Sequence, residues 1–161
     1  MMARGLINEL KAAKGSVVNV TSIAGSRVHP FAGVAYATSK AALASLTREM
    51  ASDFGRVGVR VNAIAPGEID TSILSPGTEK IVEQQIPMHR LGTPDEVAKI
   101  IYVLCTETSS YVNGAEIHIN GGQHVVGPSG DHAIAGTMGR KQSCRRRGQI
   151  VGIASLDLDL D

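Results

Sequence analysis

A tyrosine and a lysine at helical spacing give this sequence its clearest chemical signal. Tyr36 and Lys40 lie four residues apart in the run Tyr-Ala-Thr-Ser-Lys, which places both side chains on one face of a helix. Tyrosine is a poor base near neutral pH because its ordinary pKa is about 10. A cation fixed beside the phenol favours the phenolate, through which Tyr36 could exchange a proton with a substrate oxygen. Taken alone, the pair also fits a solvated surface contact, and both interpretations stay open.

A serine at the end of a predicted strand is the second candidate. Ser22 follows residues 16–21, a run that is nearly continuously apolar apart from Asn19 and therefore typical of a parallel strand buried on both faces. Ligands of open α/β sheets gather at the C-terminal ends of the strands, where the Ser22 hydroxyl would hold the same substrate oxygen. A lone serine after a strand is more often a helix or turn cap, and that alternative also stays open.

Apolar periodicity predicts the helix that must carry Tyr36 and Lys40. It runs from about 35 to 54 and ends at Gly55, a common C-terminal helix signal. Spacings of three and four predict its buried stripe as Leu43, Leu46, Met50 and Phe54. Near the start of the chain, the same spacing predicts the last turns of another helix at Leu6, Ile7 and Leu10.

The following segments add helices and strands in alternation. Alternating apolar residues over 57–63 predict a strand that stops at Pro66-Gly67, and a weak helix is predicted over 78–85. Residues 93–96, Thr-Pro-Asp-Glu, carry a capping-box signature. The helix that starts there has a predicted buried face of Val97, Ile100, Ile101 and Leu104. With a further strand at 116–120, this order predicts an α/β fold with a parallel sheet of about three strands.

Composition restricts the class of protein. Hydrophobic residues make up 43% and aromatic residues 3%, while the formal net charge is +1; this balance predicts no global attraction to nucleic acid or to a membrane surface. Cys105 and Cys144 form no paired motif, and the five histidines lack ligand spacing, so we expect no metal site. With no membrane span or secretory leader recognised in the sequence, we expect a cytoplasmic protein.

Residues 125–161 differ in character from the rest. They show little periodicity, a basic cluster at Arg145–Arg147 and an alternating Leu/Asp end. This composition predicts a disordered tail separate from residues 1–124. A glycine-containing run at 148–154 is followed by only seven residues, too few for the helix that a dinucleotide-binding turn requires.

Five motifs in order resemble the short-chain dehydrogenase/reductase family and cover about residues 1–124. They are Gly15-Ser-Val-Val-Asn-Val-Thr-Ser-Ile-Ala-Gly25, Ala35-Tyr-Ala-Thr-Ser-Lys-Ala-Ala-Leu43, Arg60-Val-Asn-Ala-Ile-Ala-Pro-Gly67, Arg90-Leu-Gly-Thr-Pro-Asp-Glu96 and Asn120-Gly-Gly122. The resemblance implies an incomplete Rossmann-like, doubly wound parallel sheet with covering helices. It also implies NAD(P)-dependent interconversion of a secondary alcohol and a ketone, without a metal.

The family pattern also implies a role for each candidate residue. Tyr36 would be the general acid/base, Lys40 would promote its ionisation and bind the nicotinamide ribose, and Ser22 would orient the substrate oxygen. Four residues match the segment beside the nicotinamide: Pro66, Gly67, Ile69 and Thr71. Substrate choice would depend on the loop between Gly67 and Pro87, whose carboxylates and aliphatics leave acyl thioester ketones, sugars and small polyols open.

The sequence also departs from a complete family member. Only fourteen residues precede Gly15, and they contain neither the Gly-x-x-x-Gly-x-Gly turn nor the Asn-Asn-Ala-Gly stretch. We therefore expect weak dinucleotide affinity, no readable choice between NAD and NADP, and an exposed apolar edge on the first strand. The family pattern implies a homo-oligomer formed partly through the helix of Tyr36. The alternative function is a non-catalytic remnant that acts by self-association or by docking to a complete relative.

Overall fold

A three-stranded parallel sheet forms the centre of the fold. The computed structural model describes residues 2–72 and 74–127. The strands are β1 (Ser16–Val20), β2 (Arg60–Pro66) and β3 (Glu116–Ile119), hydrogen-bonded in the order β1-β2-β3. The predicted α/β fold with three parallel strands is confirmed. Of the predicted disordered tail, residues 125–161, the structure describes only 125–127, and the rest lies outside the described part of the chain.

Helices alternate with these strands along the chain, in the predicted order. They are α1 (Met2–Gly5), α2 (Ile7–Ala12), α3 (Gly33–Gly55), α4 (Thr78–Gln85) and α5 (Pro94–Cys105). Single 3-10 turns occur at Ile23–Gly25, Glu107–Ser109 and Gln123–Val125. The helix predicted over 78–85 is present as α4, and the α3 prediction is correct to within two residues at its start.

The central strand β2 differs from its prediction. The expected alternation over 57–63 is wrong, because the strand begins at Arg60 and its five inner residues are all buried. Residues 56–58 instead form the turn that leaves α3, where Gly58 has a φ of 80°. The buried Asn62 fits the interior because its amide donates to Val112 O and accepts from Ala115 N.

The edge strand β1 corrects a second prediction. Its residues are partly exposed rather than buried on both faces, and Val20 is 47% exposed. Within the described residues, β1 pairs with β2 alone, so one row of its backbone groups faces outward. Among the described residues, the expected exposed edge is therefore present.

The buried face of α3 is rotated from the predicted stripe. Met50 is buried as expected, but Leu46 is 36% exposed, and Thr47 and Ala51 are buried in its place. Thr47 belongs to the interior because its hydroxyl donates to Leu43 O within the helix and accepts from the amide of Asn19 on β1. A polar side chain with both partners satisfied can replace an aliphatic one at such a position.

The capping box of α5 is present as predicted. Thr93 Oγ1 accepts from Glu96 N at 3.2 Å, and the Glu96 carboxylate accepts from Thr93 N at 2.8 Å. Arg90 donates two hydrogen bonds to the same carboxylate. These hydrogen bonds, first those from Arg90 and then that from Thr93 N, lower the pKa of Glu96 to about 2. Of the predicted buried face, Leu104 is fully buried, while Val97, Ile100 and Ile101 are partly buried.

Replacing Thr93 tests how much this cap stabilises the fold. Thr93→Ala removes the acceptor for Glu96 N and should lower the free energy of unfolding by about 1 kcal/mol. Thr93→Ser keeps an acceptor hydroxyl and should stay close to the parent. Urea unfolding followed by circular dichroism measures both variants. Equal losses in the two would show that the methyl group of Thr93 matters, rather than the cap.

Candidate active site

The turn after β1 holds Ser22. Its side-chain oxygen accepts from Ala24 N at 3.2 Å and caps the 3-10 turn Ile23–Gly25. The capping alternative raised by the sequence is therefore correct. The two functions are compatible, because an oxygen that accepts from the backbone still has a hydroxyl proton to donate. Ser22 also lines a surface cleft.

Helix α3 supplies Tyr36 and Lys40 from its first turns. Lys40 Nζ lies 5.5 Å from the centroid of the Tyr36 ring and donates to Val20 O at 2.8 Å. The ammonium is thus anchored to the last residue of β1, next to the turn that holds Ser22. Tyr36 is 46% exposed, so its ring is accessible from solvent.

A glycine permits the close approach of the Ser22 turn to α3. A Cβ built on Gly25 would lie 2.9 Å from both Ala41 N and the carbonyl carbon of Lys40, closer than real Cβ atoms come to backbone. Any side chain at this position would push the turn away from α3. The absence of a side chain therefore helps to bring Ser22 and Tyr36 to one cleft.

Three of the predicted residues line the same cleft, which has a volume of about 310 Å³. Its lining includes Ser22, Tyr36 and Gly67. Lys40 lies outside the lining, behind Tyr36, where it bonds Val20 O. The cleft therefore combines residues from the ends of two neighbouring strands with one from α3, as expected for a parallel sheet.

The segment after β2 is held by tight backbone packing. Gly67 N donates to Ile119 O at 3.0 Å. A Cβ at Gly67 would lie 2.6 Å from Asn120 Cβ and 2.8 Å from Gln123 Oε1. Of the other predicted cofactor residues, Pro66 ends β2, Ile69 forms a parallel bridge with Gly92, and Thr71 is exposed. None of these three lines the cleft.

Sequence reasoning did not single out a contacting histidine and glutamate in this cleft. His29 Nε2 lies 2.6 Å from Glu68 Oε1, and each side chain is 12% exposed. The two residues are 39 positions apart, so no local pattern links them. The sequence feature that could have linked them is their placement, because each residue follows the C-terminal end of one of two neighbouring strands.

Other polar side chains lie beyond the cleft. The rings of His118 and His124 stack with centroids 4.1 Å apart, and His124 Nδ1 lies 2.9 Å from Asn120 Oδ1. Burial and the neighbouring His118 lower the pKa of His124. Within residues 2–72 and 74–127, no cluster of three or more His, Cys, Asp or Glu could hold a metal ion. No helix in these ranges is long and apolar enough to cross a membrane.

Comparisons with known proteins agree with this geometry. Residues 1–124 match the family profile described as Enoyl-(Acyl carrier protein) reductase. An oxidoreductase of the short-chain dehydrogenase/reductase family from Brucella ovis, solved with a partially ordered NAD, is 69% identical with a TM-score of 0.58, over 74% of this chain and 46% of that one. This chain belongs to the short-chain dehydrogenase/reductase family.

Further relatives of this short-chain dehydrogenase/reductase have more specific names. The protein FixR of Bradyrhizobium diazoefficiens is 68% identical over 78% of this chain and 45% of its own length. The 3-oxoacyl-[acyl-carrier-protein] reductase FabG of Aquifex aeolicus is 39% identical over 70% of this chain and 46% of its own. A 3-oxoacyl-[acyl-carrier protein] reductase from Brucella melitensis with bound NAD has a TM-score of 0.70 at 36% identity, over 75% of this chain and 45% of that one. The chain thus spans about half the length of these relatives.

The packing at Gly67 yields a stability prediction. Gly67→Ala should lower the free energy of unfolding by about 1–3 kcal/mol, because the added methyl overlaps Asn120 and Gln123. Gly5→Ala is the matched control, since a Cβ there meets nothing within 4 Å. Thermal unfolding of both variants measures the difference. A Gly67→Ala protein as stable as the control would mean that the turn relaxes freely.

Proposed function

We propose that this chain provides the substrate and proton-transfer half of an NAD(P)-dependent oxidoreductase that interconverts a secondary alcohol and a ketone. The observation that carries the proposal is the cleft shared by Ser22 and Tyr36, with Lys40 anchored behind it through Val20 O. Family membership supports the reaction class, because relatives named as reductases and dehydrogenases share the matched region.

Each side chain has a role in this proposal. The Tyr36 hydroxyl gives a proton to the ketone oxygen during reduction and takes it back during oxidation. Lys40 places a positive charge beside the ring and stabilises the phenolate formed when Tyr36 gives up its proton. Ser22 donates its hydroxyl proton to the substrate oxygen while its own oxygen stays bonded to Ala24 N.

The residues present fit the nicotinamide end of the cofactor. The Lys40 ammonium donates one bond to Val20 O and keeps two further donors for ribose hydroxyls. The bound nicotinamide would exchange hydride with the substrate carbon. The phosphate end has no matching site here: within residues 2–72 and 74–127, no strand is followed by a Gly-x-x-x-Gly-x-Gly turn into a helix. We therefore expect binding through the nicotinamide ribose alone, and weak affinity.

Cofactor titration is the direct test of this function. NADH and NADPH fluorescence should show saturable binding to the full chain, and Lys40→Ala should weaken it at least about tenfold by removing a charge-assisted donor. Tyr36→Phe keeps the ring and should retain cofactor binding better than Lys40→Ala does, while abolishing any turnover.

The titration needs a control for the loss of a lysine charge, and one of its results would contradict the proposal. The matched cation control is Lys99→Ala, which removes an exposed lysine of α5, away from the cleft lining. Lys99→Ala should bind the cofactor as the parent does. A folded parent chain that shows no saturation up to millimolar NADH and NADPH would contradict catalysis by this chain alone.

The exposed surface supports self-association as a second function. Only three of the 23 residues of α3 are buried: Thr47, Met50 and Ala51. Val34 on the same helix is 84% exposed, and Val20 on the open edge of β1 is 47% exposed. Apolar side chains and unpaired strand edges of this kind favour association with another protein surface. We propose that the chain self-associates, with or without catalysis.

Size-exclusion chromatography with light scattering tests the association. At micromolar concentration the chain should elute at a multiple of its 16.9 kDa mass. Leu46→Glu places a charge on the exposed face of α3 and should shift the equilibrium toward monomer, whereas Ser45→Glu on the adjacent exposed position reports the effect of charge alone. A parent chain that is monomeric throughout this concentration range would refute the proposal.

A further inference from the structure

One acidic side chain lines the cleft that holds Ser22 and Tyr36. Glu68 directly follows Gly67 at the end of β2, and its side chain is 12% exposed. Among the described residues, the lining contains neither lysine nor arginine. A carboxylate in such a sheltered wall acts strongly on any charged group that a substrate brings, because little water screens it.

His29 orients this carboxylate through a hydrogen bond to one of its two oxygens. Phe31 N donates to His29 Nδ1 at 3.4 Å, which makes Nδ1 an acceptor. In a neutral imidazole the proton then lies on Nε2, where it is donated to Glu68 Oε1 at 2.6 Å.

Glu68 also keeps hydrogen-bonding capacity for a ligand. Its Oε1 accepts from His29, and its Oε2 makes no hydrogen bond within the described residues. An ionised carboxylate only accepts hydrogen bonds, and it has about four lone-pair positions. The cleft thus offers a fixed anionic acceptor in the same wall as the groups proposed to hold the reacting oxygen.

We propose that Glu68, oriented by His29, is a specificity-determining residue that selects uncharged, hydroxyl-bearing ketones and alcohols and rejects carboxylate-bearing ones. This inference rests on the proposed function of the cleft and narrows its substrate class. A substrate hydroxyl donates to Glu68 in a charge-assisted bond, which is stronger than a neutral one. A substrate carboxylate meets a like charge, and among the described residues no lysine or arginine in the lining offsets it.

Binding of three four-carbon ketones distinguishes the attraction of a substrate hydroxyl from the repulsion of a substrate carboxylate. Acetoin carries a hydroxyl beside the ketone, butanone carries no further polar group, and acetoacetate carries a carboxylate. Backbone amide shifts of the full 15N-labelled chain, followed at Ser22, Gly67 and Glu68, locate binding in the cleft and give dissociation constants. Acetoin should bind most tightly and acetoacetate least, at least about tenfold more weakly. Equal binding of butanone and acetoacetate to the parent chain overturns the inference.

Two matched variants test whether Glu68 causes this order of ketone affinities. Glu68→Gln removes the charge at nearly constant size and should bring acetoacetate close to butanone while weakening acetoin. Asp70→Asn removes the same charge from an exposed residue of the same segment, outside the cleft lining, and should leave the ranking unchanged. If Asp70→Asn relaxes the ranking as much as Glu68→Gln, the effect is one of overall charge and the assignment to Glu68 is wrong.

The binding measurement is independent of turnover. It requires neither cofactor nor catalysis, so a chain that fails to bind NADH still reports the ranking of the three ketones. If NADH does not bind but the three ketones bind in the expected order, the proposed function is contradicted and the role of Glu68 is not. If NADH binds but the three ketones bind equally well, the role of Glu68 is contradicted and the proposed function is not. Should Glu68→Gln not fold, equal binding of butanone and acetoacetate to the parent chain would still overturn the inference.

Discussion

Burial of the central strand β2 is the constraint on which the rest of the structure depends. Its residues Val61–Ala65 are 0% exposed, so every polar group there needs a partner inside the protein. Parallel pairing with β1 and β3 meets most of this need, and Asn62 and Asn113 bond the backbone beyond the ladder. Because all three strands run in the same direction, their C-terminal ends meet at one edge, where the candidate site is built.

Close packing then brings side chains of different elements to this edge. The turn after β1 approaches α3 at Gly25, and the segment after β2 approaches Asn120 at Gly67. At both places a Cβ would collide with its neighbours, so glycine is needed for space rather than for an unusual backbone angle. The Lys40–Val20 hydrogen bond joins α3 to the strand end and fixes a positive charge behind Tyr36.

The chain covers about 45% of the length of its relatives. Within the described residues, two parts of its structure lack a partner. One is the open edge of β1, and the other is the proposed nicotinamide site, which has no phosphate-binding turn in the described residues. The two features adjoin, because Lys40, proposed to hold the nicotinamide ribose, bonds Val20 at the end of that same edge strand. An association that covers the edge of β1 would therefore act beside the cofactor site, which links the two proposed functions physically.

The sequence by itself determined the element types, their order and the residues that match the family motifs. Helix caps and apolar periodicity are local, so the α5 capping box and the extent of α3 could be predicted closely. Whether a side chain is buried, by contrast, does not depend on the neighbouring residues in the sequence alone. The rotated face of α3, the partial exposure of the β1 side chains and the full burial of β2 depend on which elements lie on each side. For the same reason only the tertiary structure revealed the His29–Glu68 pair, whose members are distant in sequence and meet because two parallel strands end side by side.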